Sequence, residues 1–584
     1  MPGVTHSPRS SFTLSSILRW VLLGVAAIFF GLHFLHLNAD FPNHSPWVDW
    51  SKYTDEGWYG DAAIRHVLFG RWYWKGDFNP AVALPVWPAV ELLVFRFTGV
   101  SAAAARALTL GVFAVTLLTI WLLLERHTRP RTDTSARPLA AALAILFLCV
   151  SPFMYVFERM AILEPLLVCL TLMALLAASH LHPLSFRLFR ADPGTSPATA
   201  SSPLSGEPKP VELERKDVVK RPAVLHVVYV LLPSVALGVL LPAMVLTKTT
   251  AIALFPAVAY MVWARAGYRV RAALRFALVP GIMAAAIWLG YFGLVVHPHY
   301  LEDYRYLFSA NAYTGIELEP FATVVLNTFS DGMWMGRVIY PLFFVILALG
   351  LFWRPRLFLN PLAPALLLWT AGYFAFLGYH NNLQPRYYLV VAVPITLLVA
   401  LGLDCFREAR SRATTIVAAS MAALATLGIV IPDAIQTLDY VQHPEYTFRA
   451  AAEGIRQIVL ADTTHPNLVL SISGSDLTLM TGLPSIDDDF GTMELADRVK
   501  AYRPGWYAAW NQLDDDKMDA LTSVYHLERV AAFPAMDDPD RNLLILYRLD
   551  PIPAKPIVAR KRSHTPKPLV TKLGQQPTTQ QLVH

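Results

Sequence analysis

The sequence predicts an α-helical polytopic membrane protein of about eleven spanning helices, followed by a small α/β domain on the outer side. Three observations carry this. The chain is a succession of apolar runs: of 584 residues, 55% are hydrophobic and 16% charged, where soluble domains carry roughly a quarter charged residues. Mean hydropathy is +0.42. The basic residues gather in connections that all fall on one side if every run spans once. After Ile431 the composition turns to mixed polar and apolar.

The apolar runs are 17–37, 102–124, 139–153, 160–178, 224–241, 251–264, 276–296, 338–353, 362–379, 388–403 and 414–431. The first is about twenty residues long and no small-residue cleavage site follows it, so it reads as a spanning helix and not as a secretory signal. Arg126, Arg129, Arg131 and Arg137 share one connection; Arg187, Arg190, Lys209, Arg215, Lys216, Lys220 and Arg221 share another. Arg265, Arg269, Arg271 and Arg275 follow, then Arg354 and Arg356, then Arg407, Arg410 and Arg412. That side is cytoplasmic by the positive-inside rule, and the N-terminus shares it. Loops 40–99, 297–335 and 380–386 lie outside.

Residues 1–432 thus form the membrane domain. Within it, 192–217 is rich in Pro, Ser, Thr and charge and reads as a disordered cytoplasmic insertion. Residues 433–550 form the outer domain, with strands expected at 468–473, 507–510 and 543–547 and helices at 446–460, 494–502 and 514–523. The tail 551–584 reads as disordered. A net charge of +5 without a basic stripe gives no footprint for nucleic acid. Cys149, Cys169 and Cys405 lie in apolar runs without paired spacing, which indicates neither disulfides nor zinc.

Chemistry-bearing residues concentrate at the outer ends of these runs. The first outer loop holds Tyr53-Thr54-Asp55-Glu56-Gly57-Trp58-Tyr59-Gly60-Asp61. A carboxylate can take the proton of an acceptor hydroxyl, and aromatic faces suit sugar rings; the bland reading is a solvated loop. Glu158, Arg159 and Glu164 open the run 160–178, where ionisable groups are costly unless paired or facing a wet cavity. The bland alternative is an Arg–Glu pair anchoring the helix, with Glu158 and Glu164 both eligible partners of Arg159. Lys248 and the Pro385-Arg386-Tyr387-Tyr388 stretch also lie outside. A cation there can bind a lipid phosphate, Arg bidentately, or simply snorkel to headgroups. His297, His299 and His380 read as loop histidines without a ligand role.

Asp55-Glu56 with its aromatic surroundings resembles the Asp-Glu signature in the first outer loop of protein O-mannosyltransferases and of the lipid A aminoarabinose transferases. Arg159…Leu163-Glu164-Pro165-Leu166-Leu167 resembles the mannosyltransferases' Arg…Leu-Asp-Pro-Leu-Leu segment, with Glu164 in place of Asp. Leu246-Thr247-Lys248 and Pro385-Arg386-Tyr387-Tyr388 look like recurring segments of the wider family, and the C-terminal domain is similar to the aminoarabinose-transferase arrangement. The resemblance implies a GT-C fold, a site at the outer face of a bacterial inner membrane, and transfer of a sugar, with inversion, from a polyprenyl-phosphate donor to a lipid, glycan or protein acceptor. It implies Asp55 and Glu56 as the catalytic residues, Asp55 as general base and Glu56 shaping the pocket or helping to hold a cation. Arg386, Lys248, Arg159 and Tyr387 would bind the donor phosphate, and Trp58, Tyr59, Glu158 and Glu164 would line the pocket. It leaves room for a divalent cation, Mg2+ or Mn2+, since some GT-C enzymes use one and others do not. The rival readings are a secondary transporter and an inactive assembly protein of the envelope that kept the fold; Asp55 separates them, because only a transferase needs it.

Overall fold

A computed structural model of the chain describes residues 14–128, 138–182, 223–310, 320–380, 383–407, 412–511, 514–536, 538 and 541–553. Among the described residues, six helical stretches are long and apolar enough to cross a membrane: Ser15–Leu32, Ala102–Thr128, Val270–His299, Leu362–Tyr379, Pro385–Phe406 and Ala413–Ala461. Phe321–Met335 and Ile339–Phe352, bent by 115°, make a seventh together. Four shorter apolar helices, Ala140–Val150, Leu163–Ser179, Leu231–Thr247 and Thr249–Arg265, bring the segments to eleven, each covering one of the apolar runs.

The helices Leu163–Ser179 and Leu389–Arg407 form the centre of the bundle. They are apolar on every face because every face is covered: Leu167, Val168, Leu172, Leu389, Val393, Leu397 and Val399 are fully buried. At the periphery Ile282, Leu424 and Phe352 stand exposed, as side chains facing lipid do. The connections carrying basic residues meet at one end. There Asn360 Nδ2 donates to the His127 carbonyl at 3.2 Å, Arg265 Nε to the Leu181 carbonyl at 2.9 Å, and the Leu139 amide to Asp404 at 3.0 Å. The insertion 192–217, with its flanking basic residues, and the tail beyond 553 lie outside the described residues.

At the other end sits the C-terminal domain. The helix Arg412–Gln442 carries straight through the composition change at 433 and delivers the chain to it. Its sheet has the order β2-β1-β3-β5-β4, with β1 Val469–Leu470, β2 Ser485–Ile486, β3 Trp506–Trp510, β4 Tyr525–Pro534 and β5 Leu543–Pro551. β1 pairs in parallel with β2 and β3; β5 is antiparallel to β3 and β4. The sequence reading missed β4, β2 and the helix Gly474–Thr481. β4 is an edge strand whose residues are mostly exposed, so no apolar alternation marks it.

Segment 40–99, read from sequence as a loop, contains the helices Asp55–Phe69 and Val86–Thr98. It is built into the domain. Tyr53 is buried in one core with Phe448, Trp506 and Trp510, its ring 5.6 Å from that of Trp510. Trp74 meets Tyr502 edge-on at 5.1 Å.

Candidate functional site

The N-terminal ends of the two central helices point at the C-terminal domain, and the charged residues gather there. Pro385 opens a single turn, Pro385–Tyr388, that leads into Leu389–Arg407; its fixed φ suits the first helical position. That turn buries Arg386 at 5% exposure. Glu164 lies in the first turn of Leu163–Ser179, where the helix dipole favours a carboxylate. Lys248 follows the helix Ala223–Thr247. Asp55 and Glu56 occupy the first turn of Asp55–Phe69, favoured in the same way.

Arg386 joins these groups. One guanidinium nitrogen, Nη1, is paired with Asp49, whose other oxygen accepts the Arg386 backbone amide at 2.8 Å. The second, Nη2, lies 2.8 Å from Asp55 Oδ2. Glu164 Oε1 is 3.9 Å from Nε and is itself paired with Lys248 Nζ. Tyr387 backs both cations: Lys248 Nζ sits 4.2 Å and Arg386 Cζ 4.7 Å from its ring centre. Tyr59, one helical turn after Asp55, lies in the field of Asp55, Arg386, Tyr387 and Glu164. Three carboxylates therefore face two cations, all largely removed from water. Burial pushes the Asp55 carboxyl above its ordinary range, while Arg386 pulls it back. Asp55 Oδ2, Glu164 Oε2 and Arg386 Nε have no aligned hydrogen bond among the described residues.

The remaining sequence candidates lie apart from this cluster. Glu56 is held by Arg106 through both oxygens, and its Oε1 also accepts the Ala161 amide at 2.9 Å. Arg159 pairs with neither Glu158 nor Glu164. Its Nη2 donates to the carbonyls of Leu35 and His36 at 2.7 and 2.8 Å, and its guanidinium covers the Tyr155 ring at 4.3 Å. Backbone contacts stand in place of the Arg–Glu anchor of the bland alternative, because residues 33–38 turn back over the helix end. Glu158 is fully buried, has no hydrogen-bond partner among the described residues, and is pushed up to about 8 by burial. Trp58 faces away: its Nε1 donates to the Ile472 carbonyl at 3.2 Å and its ring meets Phe78 and Phe490 edge-on.

Two participants escaped the sequence reading. Asp49 is fully buried and accepts the Ser51 amide at 2.8 Å; the Asp-x-Ser turn was its only local signal. Asp476, from the C-terminal domain, accepts the Gly57 amide at 2.6 Å. Nothing in its own segment marks it.

No family model matches the chain, and no curated protein matches it in sequence. Solved structures do match in fold. ArnT from Cupriavidus metallidurans bound to undecaprenyl phosphate superposes with a TM-score of 0.54 at 14% identity, over 92% of this chain and 98% of that one. The apo state of the same protein gives 0.52 at 14% identity, over 91% and 98%. The archaeal oligosaccharyltransferase AglB from Archaeoglobus fulgidus, in complex with an inhibitory peptide and a dolichol-phosphate, gives 0.50 at 12% identity, over 92% of this chain and 74% of that one. The chain therefore has the GT-C fold: a polytopic helical membrane domain with a small C-terminal sheet domain.

Proposed function

We propose that the protein is a membrane glycosyltransferase that moves a sugar from a polyprenyl-phosphate carrier to a lipid, glycan or protein acceptor. The transfer takes place at the outer, periplasmic face of a bacterial inner membrane. The observation that carries this reading is the pairing of Asp55 with Arg386 at 2.8 Å, at the mouth of the bundle. The fold supports it, being shared with one protein that holds undecaprenyl phosphate and another that holds dolichol-phosphate. The basic connections at the opposite end support the orientation.

The acceptor hydroxyl attacks the anomeric carbon opposite the phosphate. Its proton passes to Asp55, and the broken C–O bond leaves its electron pair on the lipid phosphate, so configuration inverts. Arg386 and Lys248 stabilise the charge that grows on that phosphate. Without donor, Arg386 is neutralised by Asp49 and Asp55 together. A phosphate entering the cluster adds a fourth anion beside two cations and competes with Asp55 for Nη2. Once it takes that nitrogen, Asp55 loses its counter-charge and becomes the stronger base. Donor binding thus precedes activation of the base. Tyr387 and Tyr59 supply aromatic surface beside the reacting groups. No step runs through Mg2+ or Mn2+: among the described residues no group of three or more His, Cys, Asp or Glu is spaced to hold a metal ion.

The test is a panel of radiolabelled polyprenyl-phosphate sugars incubated with the protein in nanodiscs, with products separated by thin-layer chromatography. One donor should lose its sugar in the wild type. Arg386→Ala should weaken both undecaprenyl phosphate binding and turnover, because the phosphate contact exists in donor and leaving group alike. Undiminished phosphate affinity in that variant would return Arg386 to a headgroup anchor.

A further inference from the structure

The helix that presents Asp55 begins without a cap of its own. The first turn of a helix leaves amides unpaired, and the residue before it ordinarily satisfies one through its side chain. Thr54 occupies that place, but the single proton of its hydroxyl is shared between the Trp50 carbonyl at 3.1 Å and Asp55 Oδ1 at 2.8 Å, and the hydroxyl accepts from no amide of the first turn. The C-terminal domain makes good the deficit. Asp476 Oδ1 accepts the Gly57 amide at 2.6 Å, and Asp476 is 2% exposed. Two further contacts hold the same stretch: Trp58 Nε1 to the Ile472 carbonyl, and Ser475 Oγ to Asp61 at 2.9 Å. Gly57 is what lets the two backbones meet, since a Cβ there would stand 2.2 Å from the Asp476 nitrogen.

We propose that Asp476 is a positioning residue. From the C-terminal domain it caps in trans the helix that carries Asp55, and so holds that carboxylate on Arg386. The inference rests on the reading of Asp55 as the base, and it makes the outer domain a working part of the transfer site. Asn in place of Asp476 keeps the acceptor oxygen; Ala removes it.

Three proteins in nanodiscs decide the matter: wild type, Asp476→Asn and Asp476→Ala. Turnover is followed as release of undecaprenyl phosphate from whichever undecaprenyl-phosphate sugar the panel shows to react. Asp476→Ala should lose about tenfold to a hundredfold in kcat, the scale of a small misplacement of a reacting group. Its affinity for undecaprenyl phosphate should stay within about threefold of the wild type, because Arg386 and Lys248 remain. Asp476→Asn should recover most of the kcat. Hydrogen exchange of the amides at 55–58 in the wild type, which needs neither variant nor substrate, should be slow. Rapid exchange there, a wild-type kcat in folded Asp476→Ala, or a loss of kcat that Asn does not relieve would each overturn the proposal. Full turnover by Asp55→Asn would instead overturn the reading of Asp55 as the base, and a dead Asp55→Asn beside a normal Asp476→Ala would remove the cap alone.

Discussion

Asp55 and Glu56 are chain neighbours, both buried and each facing its own arginine, yet they are held in opposite ways. Glu56 receives two nitrogens of Arg106 and the Ala161 amide, and Arg106 spends its remaining nitrogen on the carbonyls of Leu37 and Ala39. Every group in that pair has a partner, and the pair ties segment 40–99 to the helix Ala102–Thr128. Asp55 touches Arg386 through one nitrogen without a well-aligned hydrogen bond, and it shares that arginine with Asp49. A fork closed on both sides has nothing to exchange. A shared arginine can change partner. On the proposed function this difference gives a structural part to one carboxylate and the chemistry to the other, where the sequence reading gave both a catalytic place.

The sharpest way to break the comparison starts with the locked pair. Arg106→Met leaves Glu56 buried without its counter-charge, a change that costs about 3–5 kcal/mol in comparable pairs. The protein should melt much lower in detergent or fail to accumulate. A melting temperature within a degree or two of wild type would show that the fork holds nothing. Asp55→Asn should do the reverse. It keeps size and hydrogen bonding but cannot accept a proton, so turnover should fall by about a hundredfold or more. Melting temperature should be little changed, and undecaprenyl phosphate affinity should hold or rise, because the competing charge on Arg386 is gone. Near-normal turnover would dismiss Asp55 as base and make Glu56 or Glu164 the next carboxylate to test.

The pH profile sharpens the same contrast. A base works only when ionised, and burial raises the Asp55 carboxyl while Arg386 lowers it. The acid limb of kcat/KM, which reports the free enzyme, should therefore fall away above the ordinary aspartate range of about 4. Removing the lowering charge with Arg386→Gln should move that limb further up in whatever turnover remains. A limb that stays in place would mean that Arg386 does not govern the base.

The membrane fold was legible because its signals are local. A run of apolar residues and the sign of the loop between two runs suffice to count helices and to place their ends. Glu164, Lys248 and Arg386 were legible for the same reason, each standing where an apolar run begins, and Asp55 stood out as one of two adjacent carboxylates among aromatics in the first outer loop. Their partnerships were not. Glu164 sits close to Arg159 in sequence but pairs with Lys248, because helix Leu163–Ser179 packs beside Ala223–Thr247 and residue 159 turns back toward Leu35. Asp49 and Asp476 were missed for a related reason. Their meaning comes from a guanidinium and an amide supplied by distant segments, and neither spacing nor composition records such a meeting.

Glu158 offers the smallest effect. It was expected in the pocket beside Arg159, yet it is fully buried with neither oxygen hydrogen-bonded among the described residues. Burial alone pushes it up to about 8, so at neutral pH it is a carboxylic acid and not a carboxylate. An unfolded glutamate titrates near 4.3, so the folded state holds the proton more tightly. The stability this contributes is full below about pH 4 and is lost progressively as pH rises through about 8. Gln is the uncharged isostere of that acid. Glu158→Gln should therefore leave turnover within about threefold of wild type at pH 7, inside the scatter of substitutions that touch no reacting group. What it should abolish is a slope: between pH 5 and pH 8 the wild-type melting temperature should decline more than that of the variant. Parallel melting curves across that range would show that Glu158 is ionised in the fold. A large loss of turnover in the variant would return it to the reacting groups.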